Sequence, residues 1–283
     1  MSDSTVLVSI DGHVATVSLN RPHRANAWTG RMHAEYKKAM ATLDANVNIR
    51  AIVVTGEGKT FCVGGDSEAL AGHAERGGYD PGESVSVANP GTNVPAEFNH
   101  DLAWHFGLRV PVIAAINGHA VGVGITYPML CDIRIVSETA KIQYAMVRRG
   151  ILPELGSHVL LPRVIGFSRA ADLLLTGRLI MGTEAAEMGL ASRAVPADQV
   201  LAVATEMARD IAINVSPVSA ALAKQLMWDG MNTSVDRMIM TEGKLLPGLT
   251  AAPDSAEGVR AFFEKRVPLW RSRVSSDIPV IPK

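Results

Sequence analysis

The chain has 283 residues, of which 47% are hydrophobic and 19% are charged, so it can form a substantial core. Its 27 Lys and Arg against 28 Asp and Glu give a net charge of -1, and the lack of any basic run argues against a nucleic acid or an acidic membrane surface as partner. Two cysteines outside any CxxC motif exclude a disulfide framework. The N-terminal stretch lacks a signal-peptide pattern and no segment approaches the roughly 20 apolar residues of a membrane span, so we expect a cytoplasmic protein.

The first half of the chain alternates predicted strands with predicted helices. Residues 6–20, VLVSIDGHVATVSLN, are two β-rich runs joined by Asp11-Gly12, which indicates a β-hairpin. Residues 28–46 have apolar side chains at helical spacing, and Thr29 is placed to cap that helix. Buried strands are predicted over 51–56, 110–118 and 131–137. This order of elements favours an α/β fold.

The last third of the chain is predicted to be helical. Before it, residues 72–100 are rich in Gly, Pro, Asn and Ser, which predicts a long mobile loop of the kind that often serves as a lid. The tail from residue 272 is predicted to be loosely ordered. The predicted helices span 168–177, with Ser168 as its cap, 197–213, 216–231, with Ser216 as cap before Pro217, 234–246 and 254–266.

Two residue types that often carry chemistry show no pattern for it. The eight histidines are scattered without the spacing of metal ligands, so no metal site is predicted. Cys62 has no His or Asn adjoining it in sequence, which favours a small buried side chain over a nucleophile.

Two glycine-containing turns follow predicted strands. They are TFCVGGDSEAL at 60–70 and INGHAVGVGITYPMLCD at 116–132. Glycine permits unusual backbone angles and close approach by a ligand. Two N–H groups aimed at one carbonyl oxygen would form an oxyanion hole. Either stretch alone is better explained by ordinary turn geometry.

Together with other segments, these turns resemble the crotonase (enoyl-CoA hydratase/isomerase) superfamily. The segments are LNRPHRANAW, FCVGGDSEAL, AAINGHAVGVGITYPMLCDIRI and RRGILPELGSHVLLPRVIG, followed by LLLTG and EAAEMGLASRAV. The resemblance covers about residues 5 to 266 and implies an α/β fold: a crotonase-like spiral of ββα units over 1–200 and a helical C-terminal region over 201–283 for oligomerisation and active-site cover. It also implies an acyl-CoA substrate, no cofactor besides the CoA of that substrate, and a homotrimer or dimer of trimers.

The resemblance further implies which residues form the site. The N–H groups of Gly65 and Val123 would be the oxyanion donors, with the Val123 side chain pointing away from the thioester. The phosphates of CoA would contact His23 or Arg24, and Lys265 would reach them from the C-terminal region or a neighbouring subunit. Arg24 and Lys265 are explained equally well as surface charges. The residues expected to bind the substrate are His23, Arg24, Ala25, Ala27, Val63, Gly64, Gly65, Asp66, Ser67, Gly122, Val123, Thr126, Met146 and Lys265.

The acids of the family are partly missing from this chain. Hydratases of the family use two glutamates, and the matching positions here hold Thr126 and Met146. Neither is a useful general base near pH 7, so hydration by two glutamates is not expected. Some isomerases of the family carry their acid where this chain has Glu154, in LPELGS. One carboxylate in a fairly dry pocket can move a proton between two carbons, so we expect an enoyl-CoA isomerase with Glu154 as proton shuttle.

Three alternatives stay open. Glu154 could be a structural acid that pairs with an arginine. A hydratase or hydrolase with an unconventional base would need His119, His158 or Glu154 to orient water, and His158 would share a helix face with Glu154. A catalytically silent protein that binds acyl-CoA is the third alternative. The arginines considered as partners of Glu154 are Arg148, Arg149 and Arg163.

Overall fold

The computed structural model of this chain describes residues 4–68, 71–72 and 104–281. The strands within these ranges are β1 (Val6–Asp11), β2 (Val14–Leu19), β3 (Ala51–Gly56), β4 (Thr60–Cys62), β5 (Val112–Ile116), β6 (His119–Val121), β7 (Ile133–Ser137), β8 (Lys141–Gln143), β9 (Leu179–Met181) and β10 (Arg193–Val195). The helices with described bounds are α1 (Gly30–Ala45), α2 (Val123–Thr126), α3 (Ser157–Ile165), α4 (Phe167–Thr176), α5 (Gly182–Glu187), α6 (Val200–Asn214), α7 (Pro217–Gly230), α8 (Val235–Thr250), α9 (Pro253–Glu264) and α10 (Val274–Asp277).

The strands form two sheets. The larger one has the order β1-β2-β3-β5-β7-β10, and the smaller one has the order β4-β6-β8-β9. Only the β1–β2 hairpin and the β8–β9 pair are antiparallel, and all other neighbouring strands in these sheets are parallel. Parallel strands require crossover connections, and α1 lies in the connection from β2 to β3. The predicted α/β class is confirmed.

Side chains on β3, inside the larger sheet, alternate between two buried faces. On β3, Ile52 and Val54 belong to a cluster that includes Met32 of α1. Val53 between them belongs to a second cluster, which includes Ala208 of α6. A strand buried on both faces reads as a continuous apolar run, which is why AIVVTG was recognisable in the sequence.

Two local predictions are confirmed near the N-terminus. The hairpin pairs Val6 with Leu19 and Asp11 with Val14. Thr29 caps α1, and its hydroxyl oxygen accepts the N–H of Met32 at 3.1 Å.

Two predicted helix caps differ from the structure. Ser168 does not cap α4, because Gly166 is the N-cap and the helix begins at Phe167. Ser216 is the residue before α7, as expected, but its hydroxyl donates to the carboxylate of Asp254 at 2.9 Å instead of capping the helix.

The C-terminal tail is more ordered than predicted. Residues 274–277 form the helical turn α10, and Val274 is buried beside Val218 and Leu222 of α7. The tail was predicted to be loose because chain termini are often poorly ordered, but Val274 packs against α7. The division of the chain at residue 200 stays a prediction.

The predicted loop over 72–100 lies, apart from Gly72, outside the described residues. Among the helices that the structure describes, none is both long enough and apolar enough to cross a membrane.

Candidate active site

The two glycine-containing turns lie next to each other. The strands that lead into them, β4 and β6, are paired in parallel, with Cys62 opposite Ala120. A Cβ atom added to Gly122 would lie 3.7 Å from the Cα atom of Gly64. Gly64 has a φ of +103°, which residues with side chains rarely adopt. The two turns therefore form one structural unit.

Each turn contains backbone N–H groups that have no acceptor within the part of the chain described above. They include the N–H groups of Gly65 and of Val123, the first residue of α2. Further along the second turn, the N–H groups of Ile125 and Thr126 both donate to the carbonyl of Gly122 and are therefore used. Two free donors on adjacent turns can receive one carbonyl oxygen, as an oxyanion hole requires. Their assignment as oxyanion donors stays a prediction.

Trp28 supports the first turn, a role that the sequence analysis missed. The backbone N–H of Trp28 donates to the carbonyl of Gly64 at 2.8 Å, and the backbone carbonyl of Trp28 accepts the N–H of Asp66 at 2.9 Å. Gly65, between these two bonds, is thus held at a fixed position. The indole also stacks on Tyr127, with 4.4 Å between ring centroids, which connects the first turn to the end of α2.

Glu154 lies just before α3 and contacts the second turn. The Thr126 hydroxyl donates to Oε1 of Glu154 at 3.3 Å, and Thr126 itself has no exposed surface. Glu154 as a whole residue is exposed, yet protein atoms crowd its carboxyl group. The resulting desolvation raises the pKa of Glu154, and hydrogen bonds from Thr126 and from its own backbone N–H offset only part of that rise.

The alternative of a structural ion pair finds no partner for Glu154. The guanidinium of Arg148 donates to the carbonyl of Thr176 at 2.7 Å, and that of Arg163 donates to the side chain of Asn232 at 3.2 Å. Considering residues 4–68, 71–72 and 104–281, Glu154 takes part in no ion pair, with Arg149 or any other residue.

His158 does not share a helix with Glu154. Leu155 and Gly156 both have positive φ, so the chain turns before α3 begins at Ser157. The predicted common face of Glu154 and His158 is therefore wrong. The other histidine considered as a water-orienting group, His119, accepts the backbone N–H of Lys141 at 3.1 Å and so supports the smaller sheet.

The two positions without acids are both buried. Thr126 lies in α2, and Met146 lies in the 3-10 helix Ala145–Arg149, where it is 4% exposed. A buried methionine contributes apolar surface and cannot accept a proton. Any base at this site must come from another position.

Asp66 is the centre of an ion-pair cluster. It is 3% exposed and contacts Arg21 at 3.0 Å and Arg24 at 3.1 Å. Burial alone would raise the pKa of Asp66, but hydrogen bonds from Arg21, the backbone of Glu68 and Arg24 lower it below its usual value. Arg24, expected to bind phosphate, is thus held beside the first turn, together with Arg21, which the sequence analysis missed.

Asn26 fixes the loop that carries Ala25 and Ala27. Its amide donates to the carbonyls of Glu57 at 2.9 Å and Thr60 at 2.7 Å, and it is fully buried. Ala25 and Asn26 both adopt positive φ, a strained conformation that these bonds stabilise. The N–H of Val63 donates to the carbonyl of Ala25 at 3.3 Å, so the loop is joined to the first turn.

Several predicted residues lie at the surface without contacts that define a role. His23 and Ser67 are exposed. Lys265 ends α9 with a φ of +51° and is exposed, and no contact in the described structure brings it to the two turns. Their functions stay predictions.

Neither a thiol nor a metal centre is supported. Cys62 is buried, and burial raises the pKa of its thiol to about 12, so it stays protonated at neutral pH. Among the described residues, no three His, Cys, Asp or Glu side chains come together in a way that could hold a metal ion.

Comparison with known proteins identifies the family of this chain. Residues 9–273 match the model of the family described as enoyl-CoA hydratase/isomerase. The chain is 34% identical to a "Probable enoyl-CoA hydratase" of Mycobacterium bovis, over 96% of this chain and 100% of that protein. It is 38% identical to an enoyl-CoA hydratase of Alternaria alternata, over 91% of this chain and 83% of that protein.

A solved structure gives the same result for the fold. A "probable enoyl-CoA hydratase/isomerase" from Mycobacterium abscessus superposes with a TM-score of 0.82 at 36% identity, covering 94% of this chain and 98% of that one. The predicted resemblance to the crotonase superfamily is confirmed. The family acts on acyl-CoA substrates, so the free N–H groups and Glu154 lie in a protein of matching chemistry. The chain belongs to the enoyl-CoA hydratase/isomerase family and is an enzyme of that family.

Proposed function

We propose that the protein moves a double bond in an enoyl-CoA, with Glu154 as the single proton shuttle. The observation that carries the proposal is the position of Glu154 beside Thr126, on the turn of Val123, with a raised pKa. A base with a pKa raised toward neutrality both accepts and returns a proton readily. The positions of the two family glutamates are occupied by Thr126 and Met146, which leaves Glu154 as the base.

In the proposed reaction, the thioester oxygen of a 3-enoyl-CoA accepts hydrogen bonds from the N–H groups of Gly65 and Val123. Glu154 removes a proton from the carbon next to the thioester carbonyl. The negative charge spreads to the carbonyl oxygen, where the two N–H donors stabilise it. Glu154 then returns the proton to the far end of the dienolate, which yields the conjugated 2-enoyl-CoA. This proton transfer needs no cofactor besides the CoA of the substrate.

Hydration is the second candidate because the relatives named above are called enoyl-CoA hydratases. A hydratase built on this site would use Glu154 to orient the water. The two reactions change absorbance in opposite directions. A 3-enoyl-CoA and a trans-2-enoyl-CoA, each followed by absorbance of the conjugated thioester, separate them: a rise with the first supports isomerisation, and a fall with the second supports hydration. No change with either would favour a different reaction, hydrolysis included, or a silent binding protein.

The substitution Glu154→Gln tests the role of the carboxylate. We expect kcat to fall by about 10²- to 10⁴-fold, the usual contribution of a general base, while the affinity for CoA is unchanged. Glu187→Gln is the control, since Glu187 is an exposed acid on α5. Unchanged turnover of Glu154→Gln would contradict the proposal.

The proposal includes the oligomeric state of the protein and its location in the cell. We expect a homotrimer or a dimer of trimers, which is supported by large apolar side chains exposed on the C-terminal helices. Lys265 of α9 would then be available to a neighbouring subunit. The cytoplasmic location stays a prediction of the sequence.

A further inference from the structure

A cavity lies away from the two glycine-containing turns of the candidate active site. It has a volume of about 610 Å³, within the range of cavities that hold small molecules. Its walls include His13, Arg50 and Pro111, which directly precede β2, β3 and β5. The cavity thus opens at the amino ends of parallel strands, whereas the glycine turns follow the carboxyl ends of β4 and β6.

The lining is cationic. Of the lining residues that the structure describes, four are arginines and none is Asp or Glu. Arg109 is already neutralised, since it forms an ion pair with Asp44 and donates to the carbonyl of Asn46 at 2.6 Å. The other three, Arg50, Arg271 and Arg273, take part in no ion pair with any residue that the structure describes.

Arg50 is the most buried of these three arginines. It is half-buried, and its side chain donates to the carbonyl of Ala212 at 3.0 Å. Burial lowers its pKa, and the charge of Asp254 only partly offsets this effect. A partly desolvated cation without a carboxylate partner is unfavourable unless an anion binds it.

The segment that carries the other two arginines is held in place. Asp254 accepts the backbone N–H groups of Arg271 at 2.8 Å and Ser272 at 3.0 Å. Trp270 donates from its indole to the carbonyl of Ile213 at 2.9 Å. These bonds use the Asp254 carboxylate and fix the backbone, while the guanidinium groups of Arg271 and Arg273 have no partner among the described residues.

We propose that this cavity binds a phosphate-bearing small molecule through Arg50, Arg271 and Arg273. Guanidinium groups recognise phosphate oxygens by paired, charge-assisted hydrogen bonds. A cavity lined by one sign of charge also concentrates oppositely charged ligands. The volume exceeds that of a single phosphate and leaves room for an organic group beside Trp270. This binding is independent of the proposed isomerase reaction.

The test is calorimetric titration of the full chain with inorganic pyrophosphate at constant ionic strength. We expect binding by the wild type and about tenfold or greater weakening in Arg271→Gln/Arg273→Gln, since each charge-assisted bond contributes about that factor. Arg50→Gln provides a second variant with the same expectation. Arg169→Gln/Arg193→Gln is the matched control, because both arginines are exposed elsewhere on the surface. Equal melting temperatures establish that the variants are folded.

Three results would overturn the proposal: no binding by the wild type, equal weakening in the control, or complete loss of pyrophosphate binding when CoA is saturating. The last result would place the anion in the acyl-CoA site. A parallel titration with adenosine diphosphate identifies the source of the phosphate. Tighter binding than that of pyrophosphate supports a nucleotide, and equal binding supports a ligand recognised by its phosphates alone. Turnover of enoyl-CoA is expected to be the same in Arg271→Gln/Arg273→Gln as in the wild type.

Discussion

Thr126 connects the candidate base to the turn that carries an oxyanion donor. Its hydroxyl lies 3.3 Å from the carboxylate of Glu154 and 3.4 Å from the carbonyl of Val123. A hydroxyl that donates to a carboxylate favours the ionised form and lowers the pKa of that group. The Thr126 hydroxyl therefore lowers the pKa of Glu154, the base of the proposed reaction, and opposes part of the effect of burial.

We expect removal of this hydroxyl to change the pH dependence of kcat/KM. Glu154 acts as a base when it is ionised, so the rate falls as pH decreases through its pKa. In Thr126→Val, the pKa of Glu154 rises further, and the acid limb of kcat/KM for a 3-enoyl-CoA moves to higher pH by up to about one unit. Thr250→Val, whose hydroxyl contacts only its own helix, is expected to keep the wild-type limb. An unshifted limb in Thr126→Val would show that the bond does not tune Glu154.

At the residue scale, the sequence indicated candidate site residues where a residue type is unusual for its neighbours in the chain. Glu154 was singled out because an acid surrounded by apolar residues, Gly and Pro needs an explanation, and its role as a base stays a prediction. Arg21 and Asn26 were missed because their contacts are distant in sequence: Asn26 bonds to Glu57 and Thr60, and Arg21 to Asp66. No local pattern encodes such pairs.

At the scale of elements, the close approach of α2 to β4 keeps the two turns together. A Cβ atom added to Gly124 would lie 2.0 Å from the carbonyl oxygen of Cys62, far inside van der Waals contact. The backbone itself would have to move, because no flexible side chain can give way. The N–H group of Val123 lies on α2 and that of Gly65 lies on the turn after β4, so the two proposed oxyanion donors would move apart.

Gly124→Ala is therefore expected to impair both stability and catalysis. We expect a loss of about 1–3 kcal/mol in the free energy of unfolding, the usual cost of overpacking, together with a fall in kcat. Gly243→Ala on α8 is the control, since its added Cβ meets no atom within 4 Å. In that helix we expect a gain of up to about 1 kcal/mol. Denaturant unfolding measures both, and a neutral Gly124→Ala would contradict the close approach.

Element types were predictable, while their ends were less so. β3 and α1 have strong periodic patterns, and both were located correctly. The start of α4 was misplaced because Ser168 is a good capping residue by type, whereas the chain turns at Gly166. Cap choice depends on the entering backbone, which local sequence does not determine.

At the scale of the whole molecule, α9 exposes a continuous apolar face. Val259, Phe262 and Phe263 follow helical spacing, and the two phenylalanines are 78% and 76% exposed. Their rings contact each other edge to face at 5.7 Å between centroids. A patch of this kind marks a protein interface. The family resemblance implies that the C-terminal region takes part in oligomerisation, but the sequence contained no signal for which helix face would form the contact.

We expect substitutions on this apolar face of α9 to change the oligomeric state. Phe262→Ser/Phe263→Ser removes two aromatic side chains that a subunit interface would bury, each of which typically contributes strongly to association. By light scattering after size exclusion, we expect the wild type at three or six times the mass of one chain and the double variant at lower mass. Ile10→Ser, an exposed position on β1, is the control and is expected to keep the wild-type mass. A wild type that elutes as a single chain, or a double variant that keeps the full assembly, would contradict this role. The KM for enoyl-CoA is then measured for the double variant and for Lys265→Ala. An increase of the same size in both would indicate that Lys265 contacts the substrate of a neighbouring subunit.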